Sequence, residues 1–256
     1  SLTDVTGVQT CALPISPVLK EALFESVTSV VMTSATLAVN GTLDYFLGRV
    51  GAAGSEGVAV GSPFDYARQM RVWIPDRMPD PSDSDAYTPA AARAVVYFAT
   101  HTRGSAFVLF TSAASMRKVA ALVRGPLERE GLVMLVQGEG LSRHKMLEEF
   151  RKGQGAVLFG LDSFWMGVDV RGEALSNVMI MRLPFAVPDQ PVVRARLDRI
   201  QQRGGDPFRE YSLPEAVIKF RQGIGRLIRT ATDTGVIVVL DRRIADKWYG
   251  RWFLRA

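Results

Sequence analysis

In AFVLFTSAASMRKVAALVRGPLEREGLVMLVQ, residues 106–137, an unbroken apolar run gives way to a helical spacing and then to a second apolar run. AFVLF (106–110) and LVMLV (132–136) have the length and content of strands buried on both faces. Between them Met116, Val119, Ala120, Val123 and Leu127 recur at three- and four-residue steps, which predicts a helix over 113–130 with one apolar face. Two fully apolar strands joined through a helix describe a parallel pair whose faces are covered.

The alternation extends in both directions. Downstream the pattern predicts a helix over 142–151, a strand over 156–160, a loop over 161–176 and a strand over 178–183. Helices near 189–202 and over 213–229 and a strand over 235–240 complete it. Upstream it predicts a helix near 88–102, strands over 70–74, 57–60 and 27–32, and helices over 42–48 and 17–25. The fold class is therefore α/β, a parallel sheet in a three-layer αβα arrangement. Residues 75–89 hold four prolines among Ser and Asp and mark the clearest loop.

The 256 residues are 47% hydrophobic and 22% charged, which is globular usage and excludes global disorder. No apolar run approaches the roughly 20 residues a membrane helix needs, so no membrane partner is expected. His101 and His144 have no neighbouring ligand residues, and Cys11 is the only cysteine, so no metal site is expected. Net charge is +5, and residues 194–229 alone hold nine basic and four acidic residues, a surplus equal to that of the whole chain. Such a surface is either a solvated helical face or one that meets phosphate.

Residues 5–15, VTGVQTCALPI, resemble the translation of a common sequencing-library adapter. Residues 1–16 are accordingly expected to be foreign to the natural protein, and Cys11 with them. The stretch lacks the basic start and continuous apolar centre of a signal peptide, and a cytoplasmic location is expected.

In parallel α/β sheets, ligands sit at the carboxyl ends of the strands. Thr33, Ser34, Ala35 and Thr36 follow the run 27–32, Thr111 and Ser112 follow 106–110, Gln137 follows 132–136, and a loop with Trp165 and Asp169 follows 156–160. Hydroxyls and free backbone N–H groups there suit phosphate oxygens. Thr and Ser in the same places also start helices by capping them.

SLPEAVIKFRQGIGRLIR, residues 212–229, opens with a capping-box pattern at Ser212 and Glu215. Val217, Phe220, Ile224, Leu227 and Ile228 make one stripe of the expected helix, and Lys219, Gln222, Arg226 and Arg229 lie opposite. Gly223 and Gly225 cost about 1 kcal/mol each inside a helix, which points to a close backbone approach. Two arginines one turn apart suit a terminal phosphate, because each has a fixed charge and a planar donor fork.

QGIGRLIR (222–229) resembles motif VI of superfamily 2 helicases, Q-x-x-G-R-x-x-R. FWMGVDVRGEALSNVMIMRLPF (164–185) resembles motif V of the DinG/XPD branch, VVMTSATL (30–37) motif III and FVLFTSAASM (107–116) motif IV. SPFDY (62–66) also fits that branch, and the motifs occur in the family's order across residues 17–256.

The resemblance implies the C-terminal part of an ATP-dependent DNA helicase with a RecA-like fold. Residues 17–50 would be the tail end of a first motor domain and 51–256 the second RecA-like domain. ATP would lie between two motor domains, with Mg²⁺ bound mainly by the absent first domain. Arg226 and Arg229 would be arginine fingers, and Gln222 would position the nucleotide. Gly167, Asp169 and Gly225 would line the nucleotide. Thr111, Ser112, Gln137, Ser163 and Trp165 would meet single-stranded DNA, with Trp165 divided between that role and the core. Thr33, Ser34, Ala35 and Thr36 would couple the two activities.

The chain departs from the pattern at Met166, where relatives often carry Glu. It contains no G-x-x-x-x-G-K-[ST], no Asp-Glu pair and no set of four cysteines for an iron–sulfur cluster, so any such cluster would lie outside it. On this reading the chain is inactive alone and partners the missing N-terminal motor domain and single-stranded DNA. The alternative is a stand-alone RecA-like module that binds nucleic acid without ATPase activity. A nucleotide-sugar domain of the same fold class has no need of the paired arginines.

Overall fold

A computed structural model describes residues 15–152, 155–165 and 174–256. Helix α1 (Ile15–Leu19) runs into a π-helical turn at Lys20–Phe24, and α2 (Asp44–Val50) and α3 (Tyr66–Gln69) follow. Strand β1 (Met70–Trp73) precedes α4 (Ser84–His101), β2 (Ala106–Leu109) and α5 (Ala113–Arg129). Next come β3 (Val133–Val136), α6 (Arg143–Lys152), β4 (Ala156–Gly160) and the short α7 (Asp162–Trp165). Beyond β5 (Asn177–Ile180) and α8 (Pro191–Gln202), a π-helical turn at Phe208–Ser212 leads into α9 (Leu213–Ile224). Strand β6 (Gly235–Val239), α10 (Arg243–Asp246) and α11 (Gly250–Leu254) complete the chain.

Compactness divides the chain into two units. One contains residues 62–184 and 219–254; the other contains the residues up to 61, 185–218 and 255–256. Residues 185–218 thus group with the N-terminal ones.

The first unit is built on a six-stranded sheet of order β1-β6-β5-β2-β4-β3, parallel at every pairing. All four β2 residues are buried, as a strand covered on both faces requires. On one face Val108, Phe110, Val157, Phe159, Met179 and Val238 pack against α4 and α5. Tyr87, Ala91, Val95 and Ala99 of α4 recur every four residues and are fully buried, so they form the stripe this contact needs. On the other face Phe107 meets Phe150 of α6 with ring centroids 4.7 Å apart, and Leu109 faces Gly223 of α9. The result is the three-layer parallel arrangement anticipated from the alternation.

Local chemistry sets the ends of these helices. The Asp83 carboxylate accepts from Ala86 N at 3.1 Å and Ser112 Oγ from Ser115 N at 3.4 Å, so each caps a helix. Asp83 starts α4 before Pro89, inside the stretch expected to be a loop. Gly104 and Gly155, both at positive φ, bring the starts of β2 and β4 together; a Cβ on Gly104 would lie 2.5 Å from the Gly155 Cα.

The second unit has a small core of Val193, Leu197, Ile200 and Tyr211. The Tyr211 ring has the Arg49 guanidinium 5.7 Å and the Arg196 guanidinium 5.4 Å from its centroid, and Arg196 donates to its hydroxyl at 2.9 Å. Tyr45 donates to the Glu215 carboxylate at 2.5 Å, and Arg49 pairs with the same oxygen. Burial, followed by the Glu215 charge, pushes the Tyr45 phenol well above its ordinary range.

Three sequence expectations fail here. The strand at 27–32 does not form: Val27 and Val31 are 45% and 86% exposed, and this unit offers no strand among its described residues to pair with. The strand at 57–60 is absent, and Val58 and Val60 are exposed. Ser212 does not cap α9. The turn before it is capped by Asp206, whose carboxylate accepts from Phe208 N at 2.9 Å and Arg209 N at 3.1 Å, while Glu215 serves Tyr45 and Arg49.

Candidate nucleotide and nucleic-acid site

The carboxyl ends of the strands in the sheet-bearing unit bring several of the predicted residues to one rim. Gln137, just past β3, accepts from Leu161 N at 2.7 Å through Oε1 and donates to Ser163 Oγ at 3.1 Å through Nε2. One amide thereby joins the ends of β3 and β4, whose residues Val136 and Phe159 are register partners. Ser163 is exposed and Gln137 half-exposed, which leaves this polar pair at the surface. Thr111 and Ser112, past β2, are half-buried, and the Ser112 hydroxyl is engaged in its cap.

Trp165 takes the interior position. It is 0% exposed, its indole N–H donates to Phe110 O at 3.1 Å, and Lys219 Nζ lies 5.6 Å from its ring centroid. The expectation that it meets DNA is corrected: a fully enclosed ring has no face to offer a base. Its neighbour Asp162 pairs with Lys219 at 2.7 Å.

These contacts seat the later turns of α9 on the rim. A Cβ on Gly223 would stand 2.8 Å from the Trp165 Cε3 atom and 3.3 Å from Leu109 Cδ1, so the glycine is the close backbone approach anticipated. The helix stops at Ile224, five residues before the predicted end. Gly225 N closes the last turn on Arg221 O at 2.9 Å, and Arg226 and Arg229 lie in the segment beyond. The expectation of four polar residues along one helical face therefore holds for Lys219 and Gln222 and fails for the two arginines.

That segment is tied down from several sides. Leu227 and Ile228 are 2% and 5% exposed, and both arginines are half-buried. The Asp233 carboxylate accepts from Arg229 N at 2.8 Å and Thr230 N at 2.9 Å. Gln69, 7% exposed, donates to Thr230 O and Asp233 O, each at 2.9 Å. Burial pushes the Asp233 carboxyl upward, but the hydrogen bonds from Thr230 and Arg229 and the Arg229 charge outweigh it and hold the group below its ordinary value. Gln69 and Asp233 were invisible to spacing arguments. The one signal was SPFDY itself, since Asp65 caps α3 by accepting from Arg68 N at 3.3 Å and so delivers Gln69 at that helix's end.

In the other unit Thr33 to Ala35 are exposed and Thr36 half-exposed, with a turn at Ala35 and Thr36 in which Thr36 N donates to Ser34 Oγ at 3.3 Å. Gly167 and Asp169, with Met166, lie outside the described residues. Among the described residues no group of three or more His, Cys, Asp or Glu could hold a metal ion. No described helix is long and apolar enough to cross a membrane.

A parallel six-stranded sheet with helices on both faces and its polar groups gathered at the carboxyl rim defines a RecA-like α/β domain. Residues 94–256 match the family described as the helicase C-terminal domain, and the chain belongs to that family. It is 39% identical over 252 residues to the 3′-5′ exonuclease DinG of Bacillus subtilis (strain 168), covering 96% of this chain and 27% of that protein. It is 40% identical over 244 residues to the ATP-dependent DNA helicase YoaA of Escherichia coli (strain K12), covering 94% of this chain and 37% of that one. The chain thus spans about a third of the length of these curated relatives. A solved XPD helicase shares the fold at a TM-score of 0.57 and 20% identity, over 73% of this chain and 34% of that one. These matches bear out the DinG/XPD resemblance of the motifs.

Proposed function

We propose that the chain is the second motor domain of an ATP-dependent DNA helicase and that it supplies arginines to ATP hydrolysis. The observation that supports this reading best is the turn carrying Arg226 and Arg229, anchored by Asp233 and Gln69 just beyond a helix seated on the sheet rim. Bound ATP supplies a terminal phosphate on which negative charge shifts as its bond to ADP breaks. Arg226 and Arg229 meet that charge with permanently protonated, forked donors. A turn already held in place needs little reorganisation to do so. Arginines in this role contribute roughly 10³–10⁵-fold in rate.

Gln222, in the last turn of α9, orients the nucleotide, and Gly225 admits it close to the backbone. Gly167 and Asp169 line the same nucleotide. Thr111, Ser112, Gln137 and Ser163 follow the backbone of single-stranded DNA, and Thr33 to Thr36 couple the two events. The described donors of the rim and turn are mostly cationic, amide and hydroxyl groups, a set that suits phosphate, and the rim acid Asp162 is paired with Lys219. On this reading the acids that hold Mg²⁺ belong to a first motor domain, of which residues 17–50 are the tail.

The test compares this chain alone with the same chain joined to a first motor domain. The reading expects no ATP turnover by the first and DNA-stimulated turnover by the second. Turnover by the chain alone contradicts it. DNA binding by the joined protein with no turnover favours a nucleic-acid-binding module instead.

A further inference from the structure

Strand order places a switch point between β2 and β5. From β2 the chain passes through α5, on the face of Val108 and Phe110, to reach β3. From β5 it leaves the sheet in the other direction and returns as the later turns of α9, whose Gly223 faces Leu109 on the opposite face. In open parallel sheets the crevice at such a point, outside the carboxyl ends of the strands, is where ligands bind. Thr111 lies on its β2 side. Leu109 pairs with Ile180, and Met181 N donates to Leu109 O at 3.1 Å, so Arg182 stands level with Thr111 on the neighbouring strand. Adjacent strands are about 4.8 Å apart, which makes the two residues neighbours on the rim.

Arg182 has an uncommon electrostatic setting. It is half-buried, its guanidinium lies 5.2 Å from the Tyr87 ring centroid, and its Nε is buried without a hydrogen-bond partner. The nearest strand-end acid is committed elsewhere. Asp241, past β6, is fully buried and accepts from Leu183 N at 2.8 Å and from Arg243 Nη2 at 2.6 Å and Nε at 2.9 Å. Among the described residues no carboxylate pairs with Arg182. The Asp241 carboxylate is thus committed to Arg243, which Asp80 also neighbours. Partial burial of a cation costs free energy, which an anion at the rim would offset.

We infer that Arg182 is a phosphate-binding residue at the switch point, acting beside Thr111. The inference rests on the reading of the rim as a nucleic-acid and nucleotide site, and deepens it by one residue, within the motif V stretch, to which the motif resemblance gave no role. The shared chemistry is a phosphate oxygen. It belongs either to a single-stranded DNA backbone or to a bound nucleotide.

The experiment uses the 256-residue chain with a fluorescein-labelled oligothymidylate and, separately, a fluorescent ATP analogue, across a salt series. Arg182→Gln is expected to weaken one of them roughly tenfold, the scale of one charge-assisted hydrogen bond. If DNA is the source, the slope of log affinity against log salt falls by about 0.7, the value for one phosphate contact on a single strand. Arg182→Lys should restore that slope while recovering affinity only in part, since it keeps the charge and loses the fork. A shift confined to the ATP analogue makes the nucleotide the source. If the unaltered chain binds either probe and Arg182→Gln changes neither affinity nor slope, Arg182 is a packing residue on Tyr87 and the inference falls alone. If the unaltered chain binds neither probe, the inference and the reading of the rim fall together. Arg182→Ala, with thermal unfolding of every variant, separates lost folding from lost binding, because a folding defect does not change the salt slope of the folded fraction.

Discussion

Gly223 faces Trp165 so closely that a single added carbon would stand 2.8 Å from the indole. This contact, with the indole hydrogen bond to Phe110 O, joins α9 to the ends of β2 and β4. Two effects then oppose each other in Gly223→Ala. Helix propensity favours alanine by about 1 kcal/mol, whereas forcing a methyl group into a packed core costs about 1–3 kcal/mol. The ring cannot retreat without losing its hydrogen bond, so packing should win. Urea unfolding is expected to show net destabilisation, relieved by Trp165→Leu in the same chain; a more stable Gly223→Ala chain rejects the contact.

Gln69 touches no predicted ligand, yet it holds the turn that carries both arginines. Gln69→Ala leaves the carbonyls of Thr230 and Asp233 without their donor, at a cost of about 1–3 kcal/mol. Hydrogen exchange should accelerate for the amides of residues 225–233 while β2 and β4 stay protected. Unchanged exchange across that turn shows that its anchoring lies elsewhere.

Asp233 gives the same turn a pH dependence of known sign. Its carboxyl is held below the ordinary value in the folded chain, so the stability it contributes is present above the unfolded pKa, near 4. That stability is lost as pH falls through the lower, folded value. Wild-type chain should therefore lose more stability below about pH 4 than Asp233→Asn. Parallel stability curves for the two chains contradict the assignment.

In the second unit, Glu215 accepts from both Tyr45 and Arg49. Glu215→Ala should cost about 1 kcal/mol, the scale of a half-exposed ion pair. Tyr45→Phe removes one of the two donors and should cost less. Equal effects from the two replacements would mean that the Arg49 charge contributes nothing.

The βαβ passage at 106–137 was legible because burial on both faces writes itself as uninterrupted apolar runs. The stripe of α5 was legible for the same reason: Met116, Val119, Val123 and Leu127 are all buried. Gly223 also signalled its close approach, although its partner, 58 residues away, did not. What escaped was set at long range. Helix α9 ends at Ile224 and the next residues are held from Gln69, which no local period can report. Apolar content at 27–32 suggested a strand, but a strand needs an edge to pair with and its unit supplies none among the described residues. Arg182 drew no notice because its meaning depends on strand order and on Asp241 being committed to Arg243.

The arginine pair is tested most directly in a protein that contains both motor domains. Arg226→Ala and Arg229→Ala are each predicted to reduce DNA-stimulated ATP hydrolysis by roughly 10³-fold or more while changing affinity for a non-hydrolysable ATP analogue far less. Wild-type turnover in both variants contradicts the account.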